Sequence, residues 1–168
     1  VSSLEGKNGC LAFTYVEKDR QNFCAGATAT KSVFCFDNRI VHIGTGISNS
    51  STYPTETTIY QLRLDEKTAE VDINDVYAER FPFSYRHVQD GQVNLTDTRG
   101  NVYIIRNGYG LVVEKKAQSS PSDTKKKTAS GDFVTAYIDH GVSPEEASYE
   151  YLMLVRPTSK EEGKYTKK

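Results

Sequence analysis

The chain has 168 residues, enough for one domain with a core of its own. Lys and Arg number 21 against 22 Asp and Glu, a formal charge of −1, so no global field favours nucleic acid or an anionic membrane. No apolar run reaches the length of a membrane span, and no signal peptide is legible. The first residue is Val, not Met, so the chain is expected to be a processed or excised piece.

Strand signals dominate. Eleven Tyr, seven Phe and many Val, Ile and Thr suit a pleated, half-buried surface. Leu11–Val16 alternates as a strand does. Val33–Phe36 and Ile40–Ile43 are apolar runs on either side of Asp37-Asn38, a turn pair that tolerates left-handed geometry, and they read as a hairpin. Gly44 and Gly46 are expected to end its second arm. A polar loop, Ser48–Thr55, leads to Glu56 and a third strand, Thr57–Leu64. Weaker strands are expected at Phe83–Val88, Val93–Asp97, Asn101–Arg106 and Gly110–Glu114. Residues 115–131 are polar, lysine-rich and without period, which predicts a mobile loop, or a contact strip for a polyanion built on Lys125, Lys126 and Lys127. Phe133–His140 and Tyr149–Val155 close the series, with a helical turn expected at Pro144–Ala147 and a fraying tail from Arg156. Many short strands with turns between them, and no long amphipathic helix, predict an all-β antiparallel sandwich, or part of a larger one.

Chemistry is sparse. There is no triad order, phosphate loop, dinucleotide fingerprint or zinc spacing. Cys10, Cys24 and Cys35 are expected to be free and mostly buried, with a Cys10–Cys24 bridge as the other reading. His42, inside an apolar strand, reads as a core imidazole. His140 follows an acid at a strand end, where a structural hydrogen bond and a site role are equally open, and His87 is uninformative. Glu56 stands apart from the other acids, because it follows a loop of small polar residues carried on a rigid sheet, where binding groups concentrate. Asn49 and Tyr53 in that loop are the candidate substrate-binding residues. Asn49 and Asn94 also head Asn-x-Ser/Thr sequons.

Three stretches resemble the sandwich region of polysaccharide lyase family 8, whose members cleave chondroitin sulfate and hyaluronan. The first is KSVFCFDNRIVHIGTGI (Lys31–Ile47), followed after a polar loop by Glu56-Thr57-Thr58. The others are VSSLEGKNGCLAF (Val1–Phe13) and AYIDHGVSPEEASYEYLMLV (Ala136–Val155). They stand in family order across almost the whole chain, and ETTIYQ is most similar to the broad-specificity chondroitin ABC lyases. Tyr137 departs from a common Trp, His42 from Ala or Cys, and the lysine-rich stretch has no counterpart.

The resemblance implies β-elimination. The uronic acid loses its C5 proton, and the leaving O4 of the neighbouring hexosamine gains one. It implies that a His, a Tyr and an Arg on an N-terminal helical toroid share this work with one Glu from the sandwich, which here is Glu56. It implies a secreted or periplasmic protein whose partners are a sulfated glycosaminoglycan and the remaining lyase domains, not nucleic acid or membrane. No cofactor is expected, with a divalent cation left open for the parent enzyme. The fragment alone is expected to be inactive. The other reading is a non-catalytic sandwich that binds carbohydrate, with Tyr53, Tyr60 and Tyr109 as platforms, or a purely structural one.

Overall fold

A computed structural model describes residues 1–17, 26–121 and 128–166. The first four strands make a meander: β1 (Ser2–Leu4), β2 (Asn8–Val16), β3 (Thr28–Phe36) and β4 (Arg39–Ser48). Phe36 pairs with Arg39 across the two-residue Asp37-Asn38 turn, with Asp37 at φ +53°. β4 outruns its expected end. Gly44 lies inside it with the Tyr149 ring where a Cβ would be, and Gly46 at φ +61° is the extra residue of a bulge. Glycine alone fits Gly44: an added Cβ would stand 2.1 Å from the ring. Gly44→Ala is expected to cost about 1–3 kcal/mol in chemical denaturation. The Gly44→Ala/Tyr149→Ala pair should cost less than the sum of its two single changes.

Further along are β5 (Pro54–Arg63), β6 (Val71–Ile73), β7 (Val76–Ala78), β8 (Phe83–Arg86), β9 (Val93–Thr96), β10 (Val102–Ile105), β11 (Leu111–Pro121), β12 (Thr128–Val142) and β13 (Ala147–Leu154). Among the described residues they form two antiparallel sheets. The larger runs β1-β2-β3-β4-β13-β10-β9-β6-β7 and the smaller β5-β12-β11-β8.

The lysine-rich stretch is corrected. Lys115–Pro121 and Thr128–Gly131 belong to one long hairpin, paired from Leu111↔Ile138 to Pro121↔Thr128. Its far half projects beyond the core, held by backbone pairing and by the Gln118 side chain, which accepts from Gln61 and donates to Thr135, so no apolar period betrays it. Lys125, Lys126, Lys127 and Cys24 lie outside the described residues. Cys10 is free and exposed, not buried, while Cys35 is free and half-buried.

The tail is also corrected. Thr158 and Glu161 form a capping box that starts α1 (Ser159–Glu162). Tyr165 then packs on Val102, Ile104 and Leu154, and its hydroxyl accepts from Arg39 at 3.1 Å. Pro144–Ala147 holds a turn and the start of β13, with Glu146 at φ +53°, and no helix.

The main core lies between the sheets, with Tyr60, Val134, Ala136 and Ile138 facing Leu95, Tyr103, Ile105 and Tyr151. Tyr60 is therefore corrected from platform to core. Its ring lies tilted against that of Tyr103, centroids 5.1 Å apart, its hydroxyl has no hydrogen-bond partner among the described residues, and burial raises its pKa well above the ordinary tyrosine range. Alternation along β11 carries one lysine inward. Lys115 is fully buried, and its ammonium donates to the carbonyls of Ala69 at 2.8 Å and of Ala78 and Glu79 at 3.2 Å.

The larger sheet outruns the smaller one. β2 and β3 continue past the edge strand β5, leaving Leu11, Phe13 and Tyr15 exposed.

Candidate functional site

Glu56 is the third residue of β5, opposite Asp139 of β12. Pro54 opens the strand, where its missing N–H costs no rung. The preceding loop is braced from within and from across the sandwich end. Asn49 accepts from the Ser51 N–H at 2.9 Å and donates to Thr55 Oγ1 at 2.8 Å. The Asn49 N–H reaches the Pro144 carbonyl at 3.2 Å. The Ser143 hydroxyl donates to the Ser51 carbonyl at 2.7 Å, and the Glu146 N–H to Ser48 Oγ at 2.9 Å. Glu56 thus projects from a fixed frame.

A cleft of about 270 Å³ lies where the free edge of β5 meets the overhang of the larger sheet. Glu56, Asn49, Thr55 and Thr57 form one wall; Phe13, Tyr15, Ala29 and Lys31 form another. The structure thus brings two of the three expected site residues together. Asn49 spends both ends of its amide on the loop. Tyr53 is 77% exposed and does not line the cleft. A second cavity of about 450 Å³, containing Asp139, His140, Tyr109 and Tyr149, adjoins the first. Their walls meet at the 2.9 Å hydrogen bond between Thr57 Oγ1 and His140 Nε2.

Charge shapes the Glu56 carboxyl. Burial raises its pKa above the ordinary value, and Asp139 and Glu114 add to the rise, while Lys116 and Arg86 oppose it. The opposing cations are already committed, because Arg86 pairs with Asp139 at 2.9 Å and Lys116 with Glu114. For Asp139, burial acts upward, but the Gly141 N–H at 2.9 Å and Arg86 outweigh it and hold the carboxyl below its usual range. His140 is pushed down, chiefly by burial, with Lys31 acting in the same direction and Asp139 against it. A neutral imidazole held by Thr57 is the result. His42 stacks on Tyr151 at 4.5 Å and is lowered by burial, as a core imidazole should be. His87 bonds the Tyr85 hydroxyl at 2.8 Å. No group of three or more His, Cys, Asp or Glu among the described residues could hold a metal ion. No helix among them is long and apolar enough to cross a membrane.

The walls from β2 and β3 escaped the sequence reading. Alternation puts Phe13, Tyr15 and Lys31 on a common face, but only the pairing Phe13↔Lys31 and the short length of the smaller sheet reveal that this face is open.

Three comparisons with known proteins bear on this arrangement. The model of the super-sandwich domain of polysaccharide lyase family 8 matches residues 1–165. The chondroitin sulfate ABC endolyase of Proteus vulgaris is 32% identical over 170 residues, covering 100% of this chain and 16% of that protein. A chondroitin sulfate ABC exolyase of Bacteroides thetaiotaomicron is 34% identical over 152 residues, covering 89% of this chain and 14% of that one. Among solved structures, a Paenibacillus xanthan lyase superposes with a TM-score of 0.74 at 22% identity, over 96% of this chain and 16% of its own. A chondroitinase AC lyase superposes with a TM-score of 0.72 at 26% identity, over 91% and 22%. The chain spans about a sixth of the Proteus endolyase. With a domain model matched along nearly its whole length, and relatives about one-third identical over most or all of it, the chain belongs to polysaccharide lyase family 8, within the super-sandwich domain.

Proposed function

We propose that this chain is the sandwich portion of a glycosaminoglycan lyase that cleaves chondroitin or dermatan sulfate, with hyaluronan as a further substrate, by β-elimination at the uronic acid. The observation that carries the reading is the placement of Glu56 on a braced strand start, in a cleft walled by residues of both sheets, in a chain that aligns with chondroitin ABC lyases. The reaction needs a base at C5, an acid at O4 and neutralisation of the uronate. Glu56 serves this as a positioning carboxylate. Facing an anionic sugar directly it would repel it, so its role is to pair with and orient a cationic Arg or His of the catalytic domain. That domain supplies the base and the acid, and this chain supplies one wall of the cleft. An enzyme with this substrate acts outside the cytoplasm, secreted or periplasmic.

The test is direct. Incubated with chondroitin sulfate, the isolated chain is expected to form no unsaturated product by ultraviolet absorbance, while the complete lyase does. Product formation by the isolated chain, in proportion to its concentration, would overturn the division of labour. A second reading, a non-catalytic carbohydrate-binding module, draws on the exposed rings of Tyr53 and Tyr109. It requires glycan binding that disappears when those two rings are removed and persists when Glu56 is changed.

A further inference from the structure

Lys31 is the cation in the cleft that the proposed reaction does not yet use. It sits half-buried on β3, between Phe13 of β2 and Gly44 of β4, and lines the same cleft as Glu56 and Asn49. Among the described residues it pairs with no carboxylate, whereas the two cations that act on Glu56, Arg86 and Lys116, are each held by an acid. Its charge is felt across the cleft wall, where it helps to keep His140 neutral. Beside it the rings of Phe13 and Tyr15, 47% and 43% exposed, present apolar surface of the kind that meets the face of a sugar.

We infer that Lys31 is an anion contact of this cleft, holding a carboxylate or sulfate group of the polysaccharide while the neighbouring rings carry its sugar face. The inference rests on the proposed glycosaminoglycan substrate and adds a binding residue to it. The chemistry is simple. A half-buried ammonium without a carboxylate partner retains an unspent electrostatic attraction, and an anionic ligand satisfies it with a charge-assisted hydrogen bond. The placement also answers the repulsion that Glu56 would exert. Lys31 is not among the charges that act most strongly on Glu56, so its charge remains available to the ligand.

The experiment is titration of this chain with three size-matched oligosaccharides, followed by calorimetry or amide chemical shifts. One is chondroitin sulfate, one is unsulfated chondroitin and one is a neutral chain. Lys31→Met keeps the stem over Phe13 and removes the charge. It is expected to weaken binding of the charged oligosaccharides about tenfold, roughly 1.4 kcal/mol, and to flatten the salt dependence. Lys31→Arg is expected to restore both. A tenfold loss for the sulfated ligand alone assigns the contact to sulfate; a loss for both assigns it to the uronate carboxylate. Each variant's thermal midpoint is measured alongside, so that a folding defect is recognised, and the arginine variant then carries the test.

Equal binding by the unaltered chain and Lys31→Met would overturn the inference and leave the proposed substrate standing, the lysine then being only a cover for Phe13. Binding of the neutral oligosaccharide as tightly as the charged ones would overturn it equally. No binding of any charged oligosaccharide by the unaltered chain would overturn both the contact and this chain's share in the cleft.

Discussion

Glu56→Gln in the complete lyase is expected to lower kcat on chondroitin sulfate by roughly 100- to 1,000-fold, with KM changing far less. The substitution keeps the shape of the side chain and removes its charge, so what is lost is the orientation of a cationic partner in the transition state. Stability of this chain by itself, where the cationic partner is absent, should move the other way. The Glu56 pKa is raised in the folded state, by burial first and then by Asp139 and Glu114. A raised folded pKa means that the native state holds its proton to higher pH than the unfolded chain does. Ionisation of Glu56 therefore disfavours folding as pH rises through the ordinary carboxylate range and beyond, and the neutral amide escapes that penalty. A thermal midpoint at or above that of the unaltered protein, together with lost turnover, identifies a group kept for function against stability. Full turnover in Glu56→Gln would remove the residue from the mechanism.

The same charges predict the pH profile. In the complete lyase the cationic partner pulls the Glu56 pKa down against the rise from burial, Asp139 and Glu114, and the acid limb of activity reports that balance. Glu114→Gln removes one of the raising charges, so it should move that acid limb to lower pH while leaving the plateau in place. Loss of Glu114 also frees Lys116, which acts on Glu56 in the same downward direction. A limb that stays where it was would mean that another group controls it.

The parts of this fold that are legible in the sequence share one property: their pattern is local. The Asp37-Asn38 turn, the alternation of Leu11–Val16 and the apolar run of Tyr149–Val155 each announce themselves within a few residues. The parts that are not legible depend on partners distant in sequence. The outer half of the β11–β12 hairpin has polar residues on both faces, so pairing with the other strand, not an apolar pattern, makes it a strand. Tyr60 reads as a sugar platform until β10 and β13 close over it. Gly44 reads as a strand end until Tyr149, 105 positions on, fills the space above it. The site divides in the same way. Glu56 is conspicuous after its polar loop, but the cleft exists only because a four-stranded sheet lies against a nine-stranded one and leaves an overhang. Nothing near Lys31 in sequence marks it as a wall of the pocket that holds Glu56.

Lys115 is the position at which a single substitution should unfold most of this domain. Its side chain crosses the core from β11, and its three ammonium protons meet three carbonyls: Ala69 in the β5–β6 connection, Ala78 at the end of β7, and Glu79 just after it. An ammonium has three donors, so the group is fully satisfied. Burial pushes its pKa below the usual lysine range and the nearby charge of Glu79 pulls it back, as expected for a cation kept in a dry place by hydrogen bonds. One lysine thereby ties two irregular connections to the rigid middle of the smaller sheet. Lys115→Ala strands three carbonyls and opens a cavity, and is expected to cost about 3–5 kcal/mol in chemical denaturation, a large share of the stability of a domain this size. Lys115→Met fills the space but cannot donate, so about 2–3 kcal/mol should remain lost. The difference between the two variants measures the cavity, and the residue of the loss measures the three hydrogen bonds. If the methionine variant matched the unaltered chain, the carbonyls would have found water, and the anchoring role would pass to the packing of the stem alone. Hydrogen exchange locates the effect: amides of 64–80 should lose protection in Lys115→Met before those of β3 and β4, which lie in the other sheet.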